Sequence, residues 1–331
     1  MGRRDPKSRR EAGVERTQAA FVESSFAGKR RNSRNKTMTL DQVQPVWTGR
    51  AILGEGPLWS PSLDRLIFVD ILGSRLIAWS PTSGDAPEWT LPEPCCWLIE
   101  RADGNGFLAG LRTRIVHLAL DLITGPEIVA ELARPEADIP GNRFNDGKAD
   151  PWGRAWAGTM DEREKEKRGW LYRIDPDGAV TRQDGPYGVA NGPAFSPDGR
   201  TLFHTDSAAR EVYAFDLSPQ GELANKRVHI RFSDKDGYPD GMTTDAEGGL
   251  WIAHWDGGRI TRFNPQGQPE RSIPLPCSRV TSCAFFGREL EMLAVTTARY
   301  QRSAEPLAGA LFTVAPGVRG LPAARFGTST R

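Results

Sequence analysis

Glu55-Gly56-Pro57-Leu58-Trp59-Ser60-Pro61, Asp146-Gly147-Lys148-Ala149-Asp150-Pro151, Asn191-Gly192-Pro193-Ala194-Phe195-Ser196-Pro197 and Asp240-Gly241-Met242-Thr243-Thr244-Asp245-Ala246 are four versions of one phrase. Each sets a polar side chain just before a glycine and an expected strand, and continues through a turn into a short apolar run. Those runs form a series at 65–70, 106–110, 154–159, 201–206, 249–254 and 292–297. A second series follows at similar offsets, at 76–79, 115–118, 170–174, 211–215, 260–263 and 310–314. Turns such as Pro176-Asp177-Gly178, Pro219-Gln220-Gly221 and Pro265-Gln266-Gly267 close most units. The unit recurs about every 40 to 48 residues, six times, which is the period of propeller blades.

No run sustains helical periodicity, and each is too short for a stable helix. A sandwich or barrel could also be built from short strands, but about four strands per unit, repeated six times, predicts an all-β, six-bladed β-propeller with a central channel. In that architecture the innermost strand of every blade borders the channel, so residues at one register form a ring. The ends are expected to close by pairing Val46-Trp47-Thr48 with the last blade near Ala323-Ala324-Arg325-Phe326.

The bulk properties agree. The chain has 331 residues with 35 glycines and 25 prolines, a turn-rich composition. A net charge of +1 gives no strong pull toward nucleic acid or membrane surfaces, and no apolar run reaches the ~18 residues that span a bilayer. Neither a nucleic-acid nor a membrane partner is expected, and a cytoplasmic monomer or weak homo-oligomer is. Cys95 and Cys96 are adjacent, and Cys277 and Cys283 lack metal-finger spacing, so the four cysteines read as reduced, partly buried thiols. Residues 1–37, with Arg3-Arg4, Arg9-Arg10 and Lys29-Arg30-Arg31, read as a disordered basic extension, and 38–331 as the propeller. Met38-Thr39-Leu40 looks like an internal start ahead of it.

Five phrases carry a resemblance: Gly54-Glu55-Gly56-Pro57-Leu58-Trp59, Asn142-Arg143-Phe144-Asn145-Asp146-Gly147-Lys148, Trp156-Ala157-Gly158-Thr159-Met160, Ala190-Asn191-Gly192-Pro193 and Tyr238-Pro239-Asp240-Gly241-Met242. In this order and spacing the chain resembles the regucalcin-like sugar lactonases, the senescence marker protein and gluconolactonase family, from about residue 46 to the end. The resemblance implies a six-bladed propeller with one catalytic divalent metal. It implies Glu55, Asn191 and Asp240 as metal ligands and Arg143 and Asn145 as the residues that hold a sugar lactone. A family glutamate follows the Gly-Thr-Met phrase; the strict offset here falls on Arg163, and Glu162 is the neighbouring candidate substrate contact.

The chemistry of these residue types is consistent with that. Two carboxylates and an amide oxygen form a hard donor set suited to Ca, Mg, Mn, Zn or Fe(II). A metal there polarises a carbonyl and activates water, with Asp240 as the expected base and Arg143 and Asn145 positioning the substrate. The expected reaction is hydrolysis of an aldonolactone to its aldonic acid. The alternatives are a calcium-binding regulatory propeller without turnover, or an organophosphate or arylester hydrolase on the same fold.

Each of these residues has a simpler reading. Glu55 and Asp240 could be turn carboxylates, and Asn145-Asp146-Gly147 and Asn191-Gly192 tight turns; it is their common register that favours a site. Asp146 is expected to support Asn145 or Arg143. His204 and His254 read as packed residues or as supports behind the site, the 161–168 segment as a solvated loop, and Trp59 and Trp255 as candidates to face the sugar. Ser60 and Ser207 have no nucleophile-elbow pattern.

Overall fold

Alternating turn and apolar signals become 24 strands in a computed structural model that describes residues 42–327; the expected extension at 1–37 lies outside the described residues. After β1 (Gln44–Trp47), blade 1 comprises β2 (Gly54–Ser60), β3 (Arg65–Asp70), β4 (Arg75–Trp79) and β5 (Glu88–Thr90). Blade 2 comprises β6 (Cys95–Glu100), β7 (Phe107–Leu111), β8 (Ile115–Asp121) and β9 (Gly125–Ala133). Blade 3 is β10 (Asn142–Ala149), β11 (Ala155–Asp161), β12 (Gly169–Ile174) and β13 (Val180–Tyr187). Blade 4 is β14 (Ala190–Phe195), β15 (Thr201–Asp206), β16 (Glu211–Leu217) and β17 (Leu223–Arg231). Blade 5 follows as β18 (Tyr238–Thr244), β19 (Leu250–Trp255), β20 (Arg259–Phe263) and β21 (Pro269–Pro274). Blade 6 holds β22 (Val280–Phe286), β23 (Met292–Thr297) and β24 (Leu311–Val314), with β1 as its outer strand.

The six-bladed propeller expected from the repeat is therefore the fold. Ring closure comes from β1 pairing antiparallel with β24, Gln44 opposite Thr313 and Trp47 opposite Leu311. The expected partner at 323–326 is a correction. That segment instead crosses the face where the inner strands end, and Phe326 bridges Arg101 of blade 2. The alternating apolar run of β24 offers β1 a buried partner, and Leu321–Arg325 carries no strand pairing.

Antiparallel order places the starts of all inner strands on one face, called upper here, and the turns after them on the lower face. Two lower turns share one construction. Asp150 Oδ2 accepts the indole N–H of Trp156 at 2.8 Å and the Arg154 Nε–H at 2.6 Å, and its Oδ1 accepts backbone N–H groups of Trp152 and Arg154. Asp245 repeats this with Trp251 at 2.8 Å, Arg262 at 2.7 Å and the N–H groups of Glu247 and Gly249. Both carboxylates and both tryptophans are fully buried. Removing the Asp150 carboxylate strands the buried Arg154 guanidinium and an indole N–H, a loss of ~3–5 kcal/mol. Asp150→Ala should lower the urea midpoint by an amount of that order, and an unchanged midpoint would contradict this account.

The inner strands share another irregularity. In every blade the register between first and second strand shifts near the upper end: between Glu55 and Leu58, Cys95 and Trp97, Phe144 and Gly147, Asn191 and Ala194, Pro239 and Met242, and Val280 and Ser282. A bulge breaks alternation and re-aims a side chain. The polar residues of the opening phrases thus lie within β2, β10, β14 and β18, at the bulge, rather than ahead of a strand. Gly147 is needed there because a Cβ would lie 2.9 Å from the Trp97 ring, and Gly56 takes the left-handed φ of +53°.

Candidate functional site

Glu55 on β2, Asn145 and Asp146 on β10, Asn191 on β14 and Asp240 on β18 all sit at the bulge level and are all buried. β2 and β10, two blades apart, approach within 8 Å between Cα atoms, so the channel is narrow.

Burial pushes the Glu55 carboxyl up to about 8, and the neighbouring Asp146 charge adds to this. Burial also raises Asp146, and it raises Asp240 well above the carboxylate range, where the charges of Glu55 and Asp146 reinforce it. The three feel one another, so they form one electrostatic unit. Lys148 and Arg143 oppose them at Glu55.

Asn191 is oriented from behind. Its Nδ2 donates to Ser207 Oγ at 3.0 Å, which leaves the buried Oδ1 without a partner. An orphaned amide oxygen beside three buried carboxylates is a donor set that suits a hard cation. No three His, Cys, Asp or Glu side chains among the described residues form a metal cluster by themselves. A site here therefore needs the neutral Asn191 oxygen along with Glu55 and Asp240, and the all-oxygen donors fit a hard divalent ion.

Beside this ring Arg143 donates through Nη1 to Phe144 O and Asn145 Oδ1, both at 2.8 Å, while Asn145 Nδ2 donates to Ala190 O at 2.9 Å. The guanidinium also reaches the Cys96 thiol. Asp146 bonds neither of them. It accepts from Gly147 N at 2.7 Å and from the Gly192 N–H, and lies 3.5 Å from Lys148 Nζ. Its expected role behind Asn145 or Arg143 is thus corrected: the bulge turns it toward the ring.

Glu162 is exposed and ion-paired with Arg112 at 2.5 Å, and its charge reaches Cys96 beside Arg143. On the same upper loop, which includes a Lys167–Asp206 ion pair at 3.7 Å, it is Glu164 whose charge acts on Asp240. Trp255 lies at the upper end of β19 under the Arg279 guanidinium, 4.3 Å from its ring centre. Trp59, on the lower half of β2, packs against Phe286 and does not share that face. His204 is fully buried against Tyr187 and pushed down to about 3, and His254 Nδ1 meets Asp236 O at 2.8 Å, so both are packing residues as expected. All four cysteines are buried and free. No described helix is long and apolar enough to cross a membrane. Ser207 went unrecognised as a positioning residue because its sole signal is a serine after the Thr205-Asp206 strand end.

A ring of oxygen donors on the axis of a six-bladed propeller defines a class of single-site propellers. Within it, the chain belongs to the SMP-30/Gluconolactonase/LRE-like family, whose model matches residues 53–299. It is 34% identical to the regucalcin of Gallus gallus over 86% of this chain and 98% of that one. It is 35% identical to a 6-deoxy-6-sulfogluconolactonase of Pseudomonas putida, over 86% and 97%. Among solved structures, a luciferin-regenerating enzyme superposes with a TM-score of 0.81 at 30% identity, covering 86% of this chain and 99% of that chain. A regucalcin from Agrobacterium tumefaciens, described as a calcium-binding protein, gives 0.80 at 27% identity, over 87% and 97%.

Two measurements test this geometry. Ser207→Ala frees the Asn191 amide to rotate and should weaken divalent-ion binding about 10-fold by calorimetry; unchanged affinity would separate Asn191 from the ion. The second concerns pH. Glu55 is raised in the folded state, so its contribution to stability is full below about 4.5 and is lost as pH rises through about 8. Chelated protein should therefore melt lower at pH 8 than at pH 5.5, and calcium should raise the melting temperature more at pH 8.

Proposed function

We propose that this chain hydrolyses a sugar lactone to the corresponding aldonic acid, using one divalent cation held by Glu55, Asn191 and Asp240. The observation that carries the reading is the orphaned Asn191 oxygen facing buried Glu55 and Asp240, next to the Arg143–Asn145 pair. The relative named as a sulfogluconolactonase supports the substrate class. A bound divalent ion would supply charge stabilisation for a developing oxyanion and lower the pKa of water.

The side chains supply the rest. Asp240 accepts a proton as the water oxygen bonds to the lactone carbonyl carbon, since a ligating carboxylate can also orient and deprotonate the water. The ring C–O bond then breaks, and the ring oxygen takes a proton to become a hydroxyl. Arg143 and Asn145, locked by hydrogen bonds to each other and to Phe144 O and Ala190 O, hold the sugar in one orientation without reorganising. Burial of the ring makes each of these charges act more strongly than it would in water. From the upper loop, Glu162 and Glu164 are the carboxylates offered to a sugar hydroxyl, and Glu162 is engaged by Arg112.

A panel of five- and six-membered aldonolactones, assayed with chelated and calcium-, zinc- or manganese-restored protein, tests this. Asp240→Asn should lower kcat by about 10²–10⁴, the usual share of a general base. Glu164→Gln should raise KM more than Glu162→Gln. Equal rates with and without metal, or a fully active Asp240→Asn, would refute the mechanism. The same oxygen donors also favour a calcium-binding propeller without turnover, a reading supported by the calcium-binding regucalcin among the structural neighbours. Saturable calcium binding with no hydrolysis across the panel would select it.

A further inference from the structure

The upper face carries a second group of charges that the proposed reaction does not use. The chain leaves β1 at Trp47 and crosses that face to enter β2 at Gly54, passing Gly49 and Arg50 on the way. Beside this crossing lie Asp70 and Arg75, at the two ends of the β3–β4 turn, and the loop after β23 with Arg299 and Ser303. These segments of blades 1 and 6 line an open hollow of about 500 Å³. None of its lining residues belongs to the ring of Glu55, Asn191 and Asp240.

The charges in the hollow are unevenly matched. Asp70 is fully buried, and its Oδ1 accepts the N–H groups of Leu53 at 2.9 Å and Gly73 at 3.0 Å. Its Oδ2 accepts from Arg75 Nε at 3.1 Å and Nη2 at 2.9 Å, and Arg75 directs its Nη1 to Glu88 at 2.7 Å. That group is closed. Among the described residues, Arg50 and Arg299 have carbonyl partners but no carboxylate. Arg50 Nη2 donates to Ser303 O at 3.0 Å and Glu305 O at 3.5 Å, and Arg299 Nε donates to Arg50 O at 2.8 Å. The Glu305 carboxylate turns instead to Ser278, accepting from its N at 2.8 Å and its Oγ at 2.6 Å.

Arg50 Nε is enclosed and can reach no ligand. The free donors are Arg50 Nη1 and both Nη groups of Arg299, which bond nothing among the described residues and are not buried. Arginine keeps its proton throughout the physiological range, so two such groups in one hollow cannot relieve their repulsion by titrating. An anion seated between them does relieve it. Each planar fork offers paired N–H donors that fit two oxygens of a tetrahedral oxyanion.

We propose that the hollow between blades 1 and 6 is a binding site for a phosphate group, carried by inorganic phosphate or by a phosphate monoester and held by Arg50 Nη1 and the Nη groups of Arg299. Two uncompensated guanidiniums favour a dianion over a monoanion, and the volume leaves room for the body of an ester. The crossing at 49–53 leads directly into β2, so an anion bridging Arg50 to Arg299 fastens the entry of blade 1 to blade 6 and stabilises the closed ring. The site stands independently of the lactonase reading, because none of its contacts depends on turnover.

Calorimetric titration of the full chain, stripped of metal and desalted, tests this with inorganic phosphate, glucose 6-phosphate and acetate. The expected result is saturable binding of one phosphate group per chain, at least tenfold weaker binding of acetate, and a melting temperature that rises with phosphate. Arg299→Gln and Arg50→Gln should each weaken phosphate binding about tenfold. Arg227→Gln, which alters an exposed arginine paired with Asp216 on blade 4, should leave it unchanged. Tighter binding of glucose 6-phosphate identifies an ester as the source, and tighter binding of inorganic phosphate the free ion; both support the site. Acetate binding as tightly as phosphate on the unaltered protein would overturn the proposal without recourse to any variant. So would phosphate binding that appears only when calcium is restored, since that places the anion at the ring. No saturable binding, or equal binding in an Arg299→Gln protein of unchanged circular dichroism, would overturn it as well.

Discussion

Three carboxylates confined at one level of a narrow channel repel one another, and the rest of the molecule answers to that constraint. Glu55, Asp146 and Asp240 come from three blades separated by nearly two hundred residues of sequence, and burial denies each the water that would screen its charge. Backbone N–H groups of Gly56, Gly147, Gly192 and Gly241 point at them, and Lys148 and Arg143 flank them. Such an arrangement is held against its own electrostatics by the closed ring of strands around it.

The bulges make this arrangement repeatable. A regular strand would point alternate residues into the channel and bury the others in the blade. One extra residue at the same height in each inner strand lets Asn145 and Asp146, neighbours in sequence, both serve the site. The same device explains why blade 2, which carries Cys96 at this height, and blade 6, with Thr281 and Ser282, complete the wall without adding charge.

Much of the fold could be read from the chain because second and third strands are buried on both faces and read as apolar runs; β3, β15 and β23 have the expected bounds. Outer strands left no such mark. In β17, Leu223–Arg231, six of nine residues are exposed and the composition is polar, so its pairing with β16 comes from backbone hydrogen bonds that composition does not register. Ring closure was misplaced for a related reason: Ala323–Phe326 has an apolar look, but it serves as a floor rather than a strand. At the candidate site, the common level of Glu55, Asn191 and Asp240 was legible through the glycine that follows each. Ser207 was not, since it acts across the tertiary structure by turning an amide. Asp146 was visible, but its direction depended on a bulge that no residue type announces.

The pairing of β1 with β24 also sets a schedule for the molecule's assembly. Gln44 meets Thr313, so the ring closes only after nearly the entire propeller has been synthesised. Contacts so distant in sequence are slow to form. The seam lies at the outer edge of blade 6, whose inner strand packs beside β2 of blade 1, so the last pairing the growing chain can make is the one that locks its first segment to its final blade.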